Sequence, residues 1–253
     1  MMTRFTLRSL AIAVCSALIS SPAHGQAAAE AERLEQEFVQ ARAEWNKALR
    51  KAAADKDTQA RAELLKDRPA PRFVARFTAG ARTHAGTPGA VPFLIWLVRN
   101  TRGEEVLGHV HTLMDGHVTD PRIRLAVARI AGIRQDLGAQ KSRELLDKVI
   151  AKSPHPDVRA QARFTRASGY VGTRALERSE PLRQLAIRDL KQVLSDKSVA
   201  SLQRLAKGLL FEAENLEPGL KAPDIQGEDL DGIAFKLSDY AGKVILLDFW
   251  GDW

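Results

Sequence analysis

The sequence predicts a mainly α protein, a helical bundle or a row of helix pairs, followed by a short segment that contains β structure. Three observations predict it. Apolar residues recur at steps of three and four through most of the chain. Capping residues stand directly before prolines at recurring intervals. Near Glu217-Pro218-Gly219 this pattern gives way to short extended signals and to an opposite charge. The whole chain is +7; residues 1–25 contribute +2 and residues 217–253 contribute −5, which leaves +10 on residues 26–216. That sets a basic body against an acidic tail.

The first element is a targeting segment. Arg4 and Arg8 supply a positive start, Ser9 to Ser21 a short apolar stretch, and Ala23-His24-Gly25 small residues at the positions a signal peptidase inspects. A secretory signal peptide over residues 1–25, cleaved after Gly25, is therefore expected, with the product exported to the periplasm or beyond. The apolar run is shorter than the ~20 residues that span a bilayer, so no stable membrane span is expected after cleavage. A lipoprotein cysteine at Cys15 is disfavoured by the bulky Val14 before it. Cys15 is the single cysteine of the chain, so the mature body holds together by packing without disulfides.

The body, residues 26–216, reads as helix nearly throughout. From Ala27 to Asp67 the residues Leu34, Phe38, Ala41, Trp45 and Ala48 or Leu49 line one face of a long amphipathic helix. Further starts are marked at Thr87-Pro88, Asp120-Pro121 and Ser153-Pro154-His155-Pro156, about 33 and 35 residues apart. Such a period suits stacked helix pairs, in which each pair leans on its neighbours. The aromatic and small residues of a tetratricopeptide signature are not in register, so an irregular bundle stands beside the repeat reading.

Sharper features of the body have plainer explanations. Val91 to Val98 is the most apolar stretch of the mature chain, yet eight residues are too few to cross a bilayer, and a buried helix from Pro92 is expected. His109, His111 and His117 resemble a metal cluster on paper. Residues two apart on a helix point about 200° apart, so His109 and His111 do not share a ligand face, and no metal site is assigned. The basic residues alternate with acids along helices, which reads as a solvated surface and not as a nucleic-acid interface. A periplasmic or envelope protein is the partner class left by this reading; no cofactor is assigned.

The tail, residues 217–253, differs in kind. Ala222-Pro-Asp-Ile225 and Gln226-Gly-Glu228, an Asp231-Gly232 turn and the alternating Ile233 to Leu237 predict a hairpin. Leu237 to Gly242 predicts a short turn or helical loop. Val244 to Phe249 is a nearly continuous apolar run, as in a central parallel strand covered on both faces. Asp248 interrupts it, and an acid there is costly unless it has a partner or a task.

In order, Ala222-Pro-Asp-Ile, Gly227 to Gly232, Phe235 to Lys243 and Val244 to Trp253 resemble the opening of the redoxin domains. These are the TlpA or ResA type of thiol-disulfide oxidoreductase, related to the alkyl hydroperoxide reductase and thiol-specific antioxidant group. The resemblance implies the N-terminal β portion of an incomplete thioredoxin-like α/β domain. It implies a redox-loop flank at Asp248, Phe249, Trp250, Gly251, Asp252 and Trp253, with Cys-x-x-Cys expected directly after the tryptophan matched by Trp253. There a helix N-terminus favours the thiolate and the second cysteine resolves the mixed disulfide. An acid at the place of Asp248 is implied to move protons to and from those cysteines.

No cysteine follows Cys15 in these 253 residues. No catalytic residue is assigned, and disulfide or peroxide chemistry is expected to be absent from the polypeptide as given. Without the rest of a domain over them, Val244 to Leu247 and Phe249 forfeit on the order of 10 kcal/mol of burial, so the tail is expected to be poorly ordered or to lie against the body. Two readings stay open: an exported oxidoreductase whose sequence stops early through a frameshift, stop codon or sequencing gap, and a helical-repeat binding module with a degenerate redox domain.

Overall fold

A computed structural model of the chain describes residues 22–171 and 179–248. Most of the signal segment, and Phe249 to Trp253 of the redox-loop flank, lie outside the described residues. The fold is mainly α, and the chain forms two compact units, residues 1–100 and 101–253.

The first unit begins with α1 (Pro22–Ala54), which runs through the expected cleavage point and buries Ala27, Ala31, Leu34 and Phe38 on one face. The single long helix expected to Asp67 is broken. Lys56 takes left-handed backbone (φ 56°), and α2 (Thr58–Lys66) restarts on Asp57, whose carboxylate accepts from the Ala60 amide at 2.9 Å. A local cap and turn override the apolar spacing there, because an aspartate satisfies a helix start better than it fills a helix interior. Trp45 Nε1 on α1 then donates to the Leu64 carbonyl at 2.7 Å and ties α2 back.

Helix α3 (Pro69–Thr83) places proline at its first turn, and α4 (Val91–Asn100) buries Val91 and every residue from Phe93 to Val98. The buried helix expected from Pro92 is present, one residue earlier. The core is aromatic: the Trp96 ring stacks on Phe77 at 3.9 Å and 3°, and Phe38 meets Trp96 edge-on at 5.0 Å. Such offset and edge contacts add to area burial. Gly80 allows this packing, since a Cβ there would fall inside contact distance of the Phe93 ring.

In the second unit, α5 (Gly103–Gly116) buries Val106, Val110, Leu113 and Met114. Short helices α6 (Arg124–Arg129) and α7 (Arg134–Leu137) lead to α8 (Ala139–Lys152), α9 (Pro156–Val171), α10 (Glu180–Ser195) and α11 (Ala200–Asn215). Central α9 packs on α6, α8, α10 and α11, and its alanines, Ala160, Ala162 and Ala167, are buried. The three expected starts hold. Thr87 accepts from Gly89 at 3.2 Å and Asp120 from Arg122 at 2.9 Å, each opening a 3-10 turn, while α9 begins at Pro156. No helix among the described residues is long and apolar enough to cross a membrane.

Helix α11 ends at the composition boundary, and Gly219 turns the chain at φ 88°. The hairpin forms as expected: β1 (Gln226–Glu228) pairs antiparallel with β2 (Ala234–Lys236), Gly227 opposite Phe235. A 3-10 turn over Leu237–Tyr240 follows, and Gly242 takes φ 84°. The expected central strand does not form over its described part, residues 244–248. A strand is held by neighbouring strands, and none lies beside this run; Val244 and Leu246 are 104% and 94% exposed.

Candidate functional site

The tail is built by its own aspartates. Asp224 accepts from both the amide and the hydroxyl of Ser238, each at 2.9 Å. Those bonds hold its carboxyl below the usual aspartate range. Asp229 accepts from the amides of Asp231 and Ile233 at 3.0 and 2.9 Å and shapes the hairpin turn, and Asp239 accepts from the Lys236 amide at 2.9 Å. Three acids of the acidic tail are thus turn fasteners, as short carboxylates commonly are. For Asp229, just before the Asp231-Gly232 turn, and Asp239, next to Ser238, that role was visible in sequence, although the charge reading treated them only as a net sign.

Asp248 is exposed and sits outside any strand. An acid set in an apolar strand was the expected signature, and the strand that would bury it is absent among the described residues. Phe249, Trp250, Gly251, Asp252 and Trp253 lie outside the described residues, so the structure brings none of the flank together. His109 is half-buried with an unpartnered Nε2, and His117 is buried at the C-terminal end of α5. No group of three potential metal ligands occurs among the described residues.

A second site lies in the helical body of the same unit. Residues of α7, α8, α9 and α10 line a partly open cavity of about 250 Å³. Arg166 on α9 reaches across it to Asp189 on α10, with Nε and Nη2 donating to the two carboxylate oxygens at 2.7 Å each. Arg166 also donates to the more exposed Asp147 on α8. Burial favours the neutral guanidine, but the bonds to Asp189 and Asp147 outweigh it and raise the Arg166 pKa. Burial pushes the Asp189 carboxyl up, against the opposing pull of Arg166. The bidentate geometry is that of an ionised pair.

Sequence reasoning missed this cluster, although its signal was present. Asp189 lies between Ala186 and Leu190, on the face of α10 that Val193 continues. An acid on a core face requires a partner, as was argued for Asp248.

No family model matches the chain, and no solved structure matches it. Over part of its length the chain is similar to thiol-disulfide oxidoreductases. Thiol-disulfide oxidoreductase ResA of Bacillus thuringiensis subsp. konkukian (strain 97-27) and that of Bacillus cereus (strain ATCC 10987 / NRS 248) are each 39% identical to it over 49 residues. That segment is 19% of this chain, and the chain spans 28% of the length of these curated relatives.

Proposed function

We propose that the chain is an exported protein of thiol-disulfide oxidoreductase lineage, in which a helical body precedes the opening of a redoxin domain. The local identity to the two ResA proteins carries this reading. The hairpin at 226–236 and the 3-10 turn that follows, in the order expected of such an opening, support it. Disulfide exchange requires a thiolate, which attacks one sulfur of a disulfide and releases the other. Residues 26–253 contain no cysteine, so on this reading the chain after the expected cleavage carries no thiolate within these residues for such an exchange.

The test is to read the transcript beyond codon 253 and assay what it encodes. Cys-x-x-Cys directly after Trp253 is the expected result, with disulfide reductase activity abolished when the first of these cysteines becomes serine. A continuation without cysteines, or activity that survives that substitution, overturns the proposal. The recurring starts at Pro88, Pro121 and Pro156 favour a second reading, a helical-repeat module for a periplasmic or envelope protein with a degenerate redox domain. A stop codon confirmed after Trp253 in the transcript supports that second reading against the first.

A further inference from the structure

We infer that the cavity among α7, α8, α9 and α10 binds a small organic carboxylate through Arg134 and Arg143. The inference rests on the helical body and is independent of the redoxin reading. The lining offers hydrogen-bond donors in excess. Arg134 and Arg143 are half-buried on its wall, and neither guanidinium has a hydrogen bond or ion pair among the described residues. Among the half-buried cations of this unit, Arg166 pairs with Asp189 and Asp147, Arg183 with Glu180 and Lys148 with Asp115, and of those with no ion pair among the described residues only Arg134 and Arg143 line the cavity. Arg166 is therefore already neutralised, while Arg134 and Arg143 leave the cavity with unbalanced positive charge.

Thr165, 3% exposed and on the same wall, accepts from Gln161 Nε2 at 3.3 Å, and its hydroxyl proton has no acceptor among the described residues. Buried hydroxyls ordinarily find one. The single carboxylate of the lining, Asp189, has both oxygens engaged by Arg166. A ligand that accepts and does not donate fits this set.

The remaining wall is apolar, with Leu146, Tyr170, Leu182 and Leu185 among it. A hydrated inorganic anion gains nothing from such a surface, whereas an apolar body attached to the anion does. A carboxylate matches the planar fork of arginine. The cavity volume of about 250 Å³ is enough to receive a body of about one aromatic ring and a short linker.

The test is a titration of the full chain with 3-phenylpropionate and, separately, its uncharged isostere 3-phenylpropionamide, followed by amide chemical shifts and calorimetry. The acid is expected to bind at least about tenfold more tightly than the amide, with shifts centred on Leu146, Thr165 and Ala186. Added sodium chloride weakens the acid and leaves the amide unchanged. The double variant R134Q/R143Q loses about tenfold or more of the acid's affinity and keeps the amide's, which also reports that the cavity is folded. R99Q, in the other unit, serves as the control and binds as the parent does. Equal affinity for acid and amide, an unaffected double variant, binding of inorganic phosphate as tight as that of the acid, or no shifts at the cavity would each overturn the inference.

Discussion

Arg166 on α9 and Asp189 on α10 are joined by two parallel hydrogen bonds of 2.7 Å, with Asp189 only 3% exposed. Removing the arginine leaves a buried acid with no guanidinium, and Arg166→Met is expected to cost about 3–5 kcal/mol. Replacing both partners, as Arg166→Met with Asp189→Leu, removes the stranded charge and recovers most of the loss. Urea unfolding of the parent, the single and the double variant measures this. Equal stability of the single and double variants would show that the two side chains do not act as a unit.

Gly80 on α3 faces the Phe93 ring so closely that a methyl group has no room. Helix propensity alone would favour Gly80→Ala by about 1 kcal/mol, and overpacking opposes it by about 1–3 kcal/mol. The clash is with a ring inside a stacked aromatic core, so the substitution is expected to destabilise. Combining it with Phe93→Leu should cost less than the two separate changes added together, a coupling that thermal unfolding would read.

Residues 221–248 contain no buried side chain, and Val244 and Leu246 stand fully in solvent. Their amides are expected to exchange with water without protection, and Val244→Lys with Leu246→Lys should reduce concentration-dependent aggregation without changing the unfolding midpoint of the helical body. Strong protection from hydrogen exchange at 244–247 would contradict this directly.

Burial lowers the pKa of His117 below 6.5, with Asp120 opposing the shift and Arg122 adding to it. Burial likewise lowers that of His109, against Glu105. A histidine whose folded pKa is depressed binds its proton more readily in the unfolded chain. The stabilisation is therefore present above 6.5 and is lost as pH falls from there through the folded values. Stability measured at about pH 7.5 and at about pH 5 should fall more in the parent than in His117→Gln. An equal fall in both would remove His117 as the cause.

Much of the fold was legible because it rests on neighbours in sequence. The run from Val91 to Val98, the caps at Thr87 and Asp120, the hairpin at Asp231-Gly232 and the end of the last helix before Pro218-Gly219 all depend on residues within a turn or two. The break at Lys56 was equally local and was missed, because the apolar spacing across it outweighed the single capping aspartate. Of the redox-loop flank, the sequence offered a motif, while the described structure holds only Asp248 of it, exposed.

By itself the sequence determined the mainly α class, most helix starts, the basic body and acidic tail, and the redoxin-like order of signals after Ala222. Each of these follows from local spacing, capping or turn chemistry. Tertiary structure alone decided which charges are spent. Arg166 meets its partner 23 positions away on the next long helix, while Arg134 and Arg143, of the same residue type, meet none among the described residues. It also decided that residues 244–248 form no strand, since a strand exists through the neighbours it bonds to, and pairing and burial are properties of contacts that the one-dimensional pattern does not contain.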